Sequence, residues 1–517
     1  MSDRLDLYTS VVPNERQKLF CESGYHAFIH FGITTFTGKE WGDGKASPSI
    51  FNPTKLDTDQ WVSALKDGGA KGVILTCKHH DGFCLWQTDT TEYSIKNSPY
   101  KNGKGDIVKE VSESCKKFGM KFGVYLSPWD RNSEYYGTPK YNDFYIEQLT
   151  ELLTRYGDIF CVWLDGACGS HLDGKPKQEY DFPRIYETVY KYQPLCAISN
   201  CGPDVRWVGN EGGFARKSEW NVVPEFSFDL QNIADNSQQD TNGGKMKRRC
   251  SDVLEQDLGS REFLSKYDSF IWYPAEVDVS IRPGWFYHKE QDKKIRSLDN
   301  LLNIYYTSVG GNSLLLLNVP PNREGRFTEF DVARLKELGE EIRKGTSYSA
   351  EIVSFNVPKA LDGFAFENCI KGDGTYTPEE ENGSYEITLK FKNPEKIDKV
   401  LLVEDCDFSQ RIESFEIYTS LDGQEQKAVG GTTVGFRRYT LFKKAVTADT
   451  VRIVITACRK KPYLKEIKVL KAVGRLPKMP WYTPVIKLGH KIGDYIYFKT
   501  EEYKNKKRLK SDNRKGK

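Results

Sequence analysis

The sequence predicts an α/β protein, a (β/α)8-like barrel of the TIM type followed by a C-terminal antiparallel β-sandwich. Three observations lead there. At 517 residues the chain exceeds the 250–300 at which single hydrophobic cores stop growing, so at least two domains are expected. From about residue 24 to 320 one arrangement recurs: a short apolar run ending in polar residues, a loop, then an amphipathic helix closed by glycine. Beyond residue 346 the pattern changes to short alternating strands between Gly, Asp and Asn turns.

The barrel runs are Ala27–Phe31, Gly72–Cys77, Lys121–Leu126 and Ile159–Leu164, near-continuously apolar, as strands buried on both faces of a parallel sheet must be. Thr58–Asp67 reads as a helix stopped by Gly68-Gly69. Ile107, Val111, Cys115 and Phe118 form a helical stripe ended by Gly119, and Tyr145, Leu149, Leu152, Leu153 and Tyr156 repeat it before Gly157. Cys196–Asn200, Ser269–Tyr273 and Leu314–Asn318 are further strand candidates. No glycine-rich phosphate turn follows any strand, which disfavours a nucleotide-binding doubly wound sheet. Thr328 with Asp331 caps a last helix with apolar face Val332, Leu335, Leu338 and Ile342, ended by Gly345. Tyr385–Leu389, Phe415–Thr419 and Val451–Ile455 then alternate as sandwich strands. The expected domains are a barrel over 1–345, a sandwich over 346–475 and an extension with a basic, solvated tail over 476–517.

Composition narrows the function. Aromatic residues at 13% exclude a disordered chain, and a net charge of +3 argues against strong attraction to nucleic acid or anionic membrane. A neutral, aromatic-rich surface suits a neutral ligand, sugars included. No run approaches the roughly 18–20 apolar residues of a membrane span, and Met1–Asp6 has no apolar signal region, so a cytoplasmic enzyme is expected. The 12 cysteines lack the crowding of a secreted scaffold and read as reduced thiols; Cys196 and Cys201, with no second pair, do not read as a redox or zinc motif.

In such barrels chemistry sits just past the carboxyl ends of the strands. Four of the seven histidines fall there: His26 and His30 on the first strand, His79 and His80 after the second. His26 and His30 share a face, with His30 nearer the exit. Two uses compete, metal ligation with Asp81 or Asp165, or neutral hydrogen bonding to substrate hydroxyls. Neighbouring His79 and His80 point to opposite sides of a strand, which makes a shared ion awkward. Trp41, Trp86, Tyr125, Trp129, Trp163, Trp220, Trp272 and Trp285 lie beside candidate ends, and imidazoles, carboxylates and aromatic faces around one mouth suit the hydroxyl rims and C–H faces of a pyranose. Asp165 follows the fourth strand directly, where a carboxylate is costly without a purpose, and is the leading nucleophile candidate. A retaining glycosidase needs a second carboxyl as acid and base, for which Glu211, Glu219 and Glu276 are available.

Phe28-Ile29-His30-Phe31-Gly32, Glu40-Trp41, Cys77-Lys78-His79-His80-Asp81-Gly82-Phe83, Val162-Trp163-Leu164-Asp165-Gly166 and Leu315-Leu316-Leu317-Asn318-Val319-Pro320-Pro321 together resemble the α-L-fucosidases of glycoside hydrolase family 29. The resemblance implies the barrel and sandwich above, no metal or other cofactor, and double displacement through a fucosyl-aspartate. By position it makes Asp165 the nucleophile and sets His30, Glu40, Trp41, His79, His80, Tyr125 and Trp163 around fucose. Arg206-Trp207-Val208-Gly209-Asn210-Glu211 resembles the branch selective for α-1,3- and α-1,4-linked fucose, implying Glu211 as acid/base, protonated beside Asp165 and apolar neighbours, with Glu219 supporting the pocket. Ile281–Tyr287 resembles that branch too, implying that Arg282 bounds the pocket while Glu276, Asp278 and Trp285 meet the leaving sugar. Phe415–Thr419, Ser420–Gly423 and Val451–Ile453 resemble a discoidin-like, galactose-binding module, expected to brace the barrel. The expected partner is a fucosylated oligosaccharide; the sequence does not indicate an oligomeric state.

Overall fold

A computed structural model describes residues 2–167, 176–228 and 257–478. Eight parallel strands form the barrel: β1 (Tyr25–Ile29), β2 (Gly72–Lys78), β3 (Lys121–Leu126), β4 (Cys161–Leu164), β5 (Ala197–Asn200), β6 (Arg206–Trp207), β9 (Ala275–Ser280) and β10 (Leu314–Asn318). Their spatial order is β5-β4-β3-β2-β1-β10-β9-β6. The ring closes between its two ends through a parallel bridge, Ser199 to Val205, and the Asn200 N–H donating to the Val205 carbonyl at 3.0 Å. Every residue of β1, β2, β9 and β10 is buried, as strands enclosed by both lumen and helices require. Phe28, Ile74, Tyr125, Cys161, Trp163 and Leu316 share one cluster in the lumen.

The helices follow their caps. Asp57 accepts from Gln60 N to start Thr58–Asp67, and Asp106 accepts from Lys109 N to start Ile107–Phe118. The latter ends on Gly119 in the left-handed region, φ 64°. Thr328 and Asp331 form the expected capping box of Glu329–Ser347, which continues past Gly345 by one turn's edge rather than ending there.

One strand expectation is corrected. Ser269–Tyr273 is not a barrel strand: β8 (Phe270–Trp272) pairs antiparallel with β7 (Val222–Pro224) outside the ring. The barrel position belongs to β9, whose register sets Glu276, Asp278 and Ser280 opposite Leu314, Leu316 and Asn318. Alternating carboxylates on its inner face conceal it from a search for apolar runs.

After the barrel come β11 (Ile352–Asn356), β12 (Tyr385–Glu404), β13 (Ile412–Leu421), β14 (Gln424–Gly431), β15 (Arg438–Cys458) and β16 (Leu464–Lys471), all antiparallel. Register shifts between Lys390 and Glu395 and between Ile397 and Lys399 break the long β12–β15 pairing into three stretches. Ile387 and Leu389 from the first stretch, Val400 and Leu402 from the last, Ile453 of β15 and Val469 of β16 share one core, as in a sandwich. Among the described residues no helix is long and apolar enough to cross a membrane. The extension over 476–517, with its basic tail, lies outside the described residues beyond Lys478.

Candidate active site at the carboxyl ends of the strands

Asp165 stands one residue past β4, its side chain 24% exposed. The Tyr125 hydroxyl, from β3, donates to its Oδ2 at 2.9 Å and the Ala167 N–H to its Oδ1 at 2.8 Å. Burial and this carboxylate push the Tyr125 phenol well above its ordinary range, so it remains a donor. Trp163 stacks on Tyr125, centroids 5.5 Å apart, and its indole N–H donates to Glu276 Oε1 at 2.7 Å.

The three imidazoles converge. His30 lies 5.7 Å from His79 between ring centroids, His79 lies 4.1 Å from His80 and stacks on Tyr125 at 5.8 Å. Burial lowers His30 and His80 to about 4 and takes His79 well below its ordinary value, so all three rings are neutral near pH 7. Their tautomers follow from their partners. Asn318 Nδ2 donates to the Trp285 carbonyl at 2.9 Å, which fixes the amide, so Asn318 Oδ1 accepts from His30 Nδ1 at 2.9 Å and leaves His30 Nε2 as a bare acceptor. Ser127 Oγ donates its single proton to the Trp129 carbonyl at 2.7 Å and therefore accepts from His80 Nδ1 at 2.8 Å. His80 Nε2 thus turns a lone pair toward Asp165 Oδ2, 3.8 Å away. Two facing acceptors with no proton between them suit a ligand hydroxyl, which would donate to the imidazole. His79 Nδ1 is buried with no hydrogen-bond partner among the described residues. His26, lower on β1, has a different neighbourhood: it contacts Ser23 and the rings of Phe20 and Phe160, beneath the site.

Aromatic walls complete the mouth. Trp41 meets His80 and Trp129 edge to face at 5.8 and 5.7 Å, and Trp285 packs on His30 at 5.1 Å. Glu40 holds the Trp285 segment: its Oε2 accepts from the Trp285 N–H at 2.9 Å and its Oε1 meets His288 Nε2 at 2.8 Å. The Trp285 indole N–H donates to Glu211 Oε2 at 3.3 Å, bringing the exposed Glu211 to the same mouth. Asn210 shapes that turn, its Oδ1 accepting from Gly212 N and Phe214 N at 3.1 and 3.2 Å.

Glu219 and Arg282 have other surroundings. Glu219 is fully buried between Arg206 and Arg216, whose charges hold its carboxyl below the ordinary glutamate range, so it is a fixed anion rather than a proton donor. Arg282, expected to bound the pocket, is corrected: its guanidinium binds Asp331 at 3.0 and 2.7 Å, Asp292 at 2.9 Å and Thr328 at 3.0 Å. It braces the segment after β9 against the last barrel helix, because buried Asp331 requires a counter-charge. Ser127 and Phe286 also belong to the site. Phe286 lies edge-on to His30 and His79 at 5.4 and 5.0 Å; a serine after a strand and one more aromatic residue in Trp-Phe-Tyr carry no signal by themselves.

Two buried carboxyls line β9. Burial lifts Glu276 to about 7, and burial with nearby Glu211 lifts Asp278 well above its ordinary range; the Trp207 indole donates to Asp278 at 2.7 Å. Glu276 Oε2 is buried with no hydrogen-bond partner among the described residues, and the missing donors disfavour its ionised form. Because folding raises this pKa, the stability it contributes is complete below about pH 4.5 and is lost as pH rises to about 7. Glu276→Gln keeps an acceptor for Trp163 and cannot ionise. Its stability relative to wild type is expected to improve from about pH 5 to about pH 8 by on the order of 2–3 kcal/mol, read from thermal unfolding. A constant difference across that range would contradict it. Among the described residues no three His, Cys, Asp or Glu converge as a metal-binding set.

Residues 24–344 match the family model described as Alpha-L-fucosidase. The chain belongs to the α-L-fucosidase family. It is therefore a glycoside hydrolase, and residues 346–466 match the F5/8 type C domain, the discoidin-like module. Alpha-L-fucosidase 1 of Arabidopsis thaliana is 39% identical over 464 residues, covering 88% of this chain and 86% of that protein. A Bacteroides ovatus protein solved as a candidate α-L-fucosidase superposes with a TM-score of 0.80 at 42% identity, covering 93% of this chain and 77% of the other. A Ruminococcus gnavus family 29 fucosidase, solved in complex with fucose, is 31% identical with a TM-score of 0.77, covering 89% and 95%.

Proposed function

We propose that this fucosidase is exo-acting and retaining, releasing terminal α-1,3- or α-1,4-linked L-fucose from short oligosaccharides, with Asp165 as nucleophile and Glu211 as acid/base. The observation that carries the reading is the presentation of Asp165, oriented by Tyr125 and Ala167, beside neutral imidazoles that offer bare acceptors to sugar hydroxyls. In the first step Asp165 attacks the anomeric carbon as its bond to the glycosidic oxygen breaks and Glu211 protonates that oxygen. In the second, Glu211 deprotonates water, which displaces Asp165 and frees fucose with the original configuration. Trp285, donating to Glu211, orients the carboxyl where the leaving sugar departs. Glu219, held as an anion by two arginines, supports choosing Glu211.

A linkage panel tests this. Lewis-type trisaccharides are expected to be cleaved at least about tenfold faster than 2'-fucosyllactose, a preference of about 1.4 kcal/mol or more. NMR of the first-formed sugar should show the α-anomer. Comparable rates on the α-1,2 link would overturn the linkage reading, and initial β-fucose the double displacement.

A further inference from the structure

The sandwich grips the chain just after the Glu211 turn. The Lys217 carbonyl accepts from Thr432 Oγ1 at 3.0 Å and Arg438 Nη1 at 3.2 Å. Gln410, fully buried, clasps the next residues with both ends of its amide: Nε2 donates to the Glu219 carbonyl at 3.1 Å and Oε1 accepts from the Asn221 N–H at 2.9 Å. The Arg459 guanidinium lies over the Trp220 ring, 3.7 Å from its centroid. One buried carboxylate organises this grip. Glu404 accepts from Arg411 N and Ile412 N at 2.8 and 2.9 Å and from Gly435 N at 2.7 Å, joining the two loops that carry Gln410 and Thr432.

The gripped segment leads back to the Glu211 turn. The Glu219 side chain binds Arg206 and Arg216, one before the turn and one after it, and Arg206 Nη2 also donates to the Trp220 carbonyl at 3.1 Å. Both stems of the turn therefore converge on Glu219, whose main chain Gln410 holds. A carboxyl that must meet a departing oxygen tolerates little displacement, since about 1 Å can cost 10²-fold in rate.

We infer that the sandwich positions the acid/base, with Gln410, Thr432 and Arg459 as positioning residues acting through residues 217–221 on Glu211. This rests on the acid/base reading of Glu211. The module's contribution is to the geometry of catalysis.

The test uses the full chain. Gln410→Met removes both hydrogen bonds while retaining volume, Thr432→Val changes one partly exposed donor, and Glu211→Ala is the reference. kcat/KM is measured on an aryl fucoside with a good leaving group and on the preferred trisaccharide. Gln410→Met is expected to lose about tenfold more on the trisaccharide than on the aryl fucoside, with a displaced alkaline limb in its pH profile; Thr432→Val should split the same way by about twofold. A variant that was merely less stable would lose both activities in proportion. Should Gln410→Met fail to fold, Thr432→Val decides. Equal fractional losses with an unchanged pH profile, while Glu211→Ala does split, would overturn the positioning role alone. Absence of a split in Glu211→Ala would overturn the acid/base reading and this inference with it.

Discussion

Asp165→Ala is expected to lower turnover of an aryl fucoside by about 10⁴-fold or more, with folding preserved. The proposed mechanism requires a covalent bond to this carboxylate, and the neighbouring Tyr125, held as a phenol well above its ordinary range, is not ionised to take its place. The structural cost is separable. Truncation leaves the Tyr125 hydroxyl without its 2.9 Å acceptor, a penalty of about 1–3 kcal/mol visible as a lower Tm. Asp165→Asn, which keeps an acceptor there, should recover much of that Tm while remaining inactive. Azide should restore little turnover of Asp165→Ala, and any product should be the inverted β-fucosyl azide, formed when the ion enters the vacated face. Activity near wild type in either variant would remove Asp165 from the nucleophile role.

What the sequence made legible has a physical pattern. Strands with uniformly apolar faces announce themselves, so β2, β3, β4 and β10 were readable, and the position of Asp165 followed from the end of β4. β9 was not, because its inner face carries Glu276 and Asp278, and a lumen lined by carboxyls looks in sequence like an exposed strand. β6, two residues long, offers no period at all. At the site, residue types were legible while directions were not. Arg282 sits among the right neighbours in sequence, yet its guanidinium pairs with the buried Asp331 of the last barrel helix. Glu211 and Glu219 are eight residues apart and equally acidic on paper. The two arginines flanking buried Glu219 make it a fixed anion, and nothing in the sequence announces that they meet it. The tautomers of His30 and His80 depend on Asn318 and Ser127, partners that no spacing rule connects to them.

Glu211→Ala should separate the two chemical steps. On a trisaccharide, whose leaving oxygen needs a proton, kcat/KM is expected to fall by about 10²–10⁴-fold. On an aryl fucoside with a good leaving group the first step needs little assistance and kcat/KM should fall far less. The second step still lacks its base, so a fucosyl-enzyme should accumulate, giving a burst of aryl product followed by slow turnover. Azide attacks without deprotonation and should therefore accelerate turnover, yielding the α-fucosyl azide. The two variants thus make opposite predictions for one reagent: retained azide when the base is missing, inverted azide when the nucleophile is. Glu219→Ala provides the contrast, since removing it leaves Arg206 and Arg216 buried without their counter-charge and should cost about 3–5 kcal/mol of stability. A leaving-group split with azide rescue in Glu219→Ala, and none in Glu211→Ala, would transfer the acid/base role to Glu219.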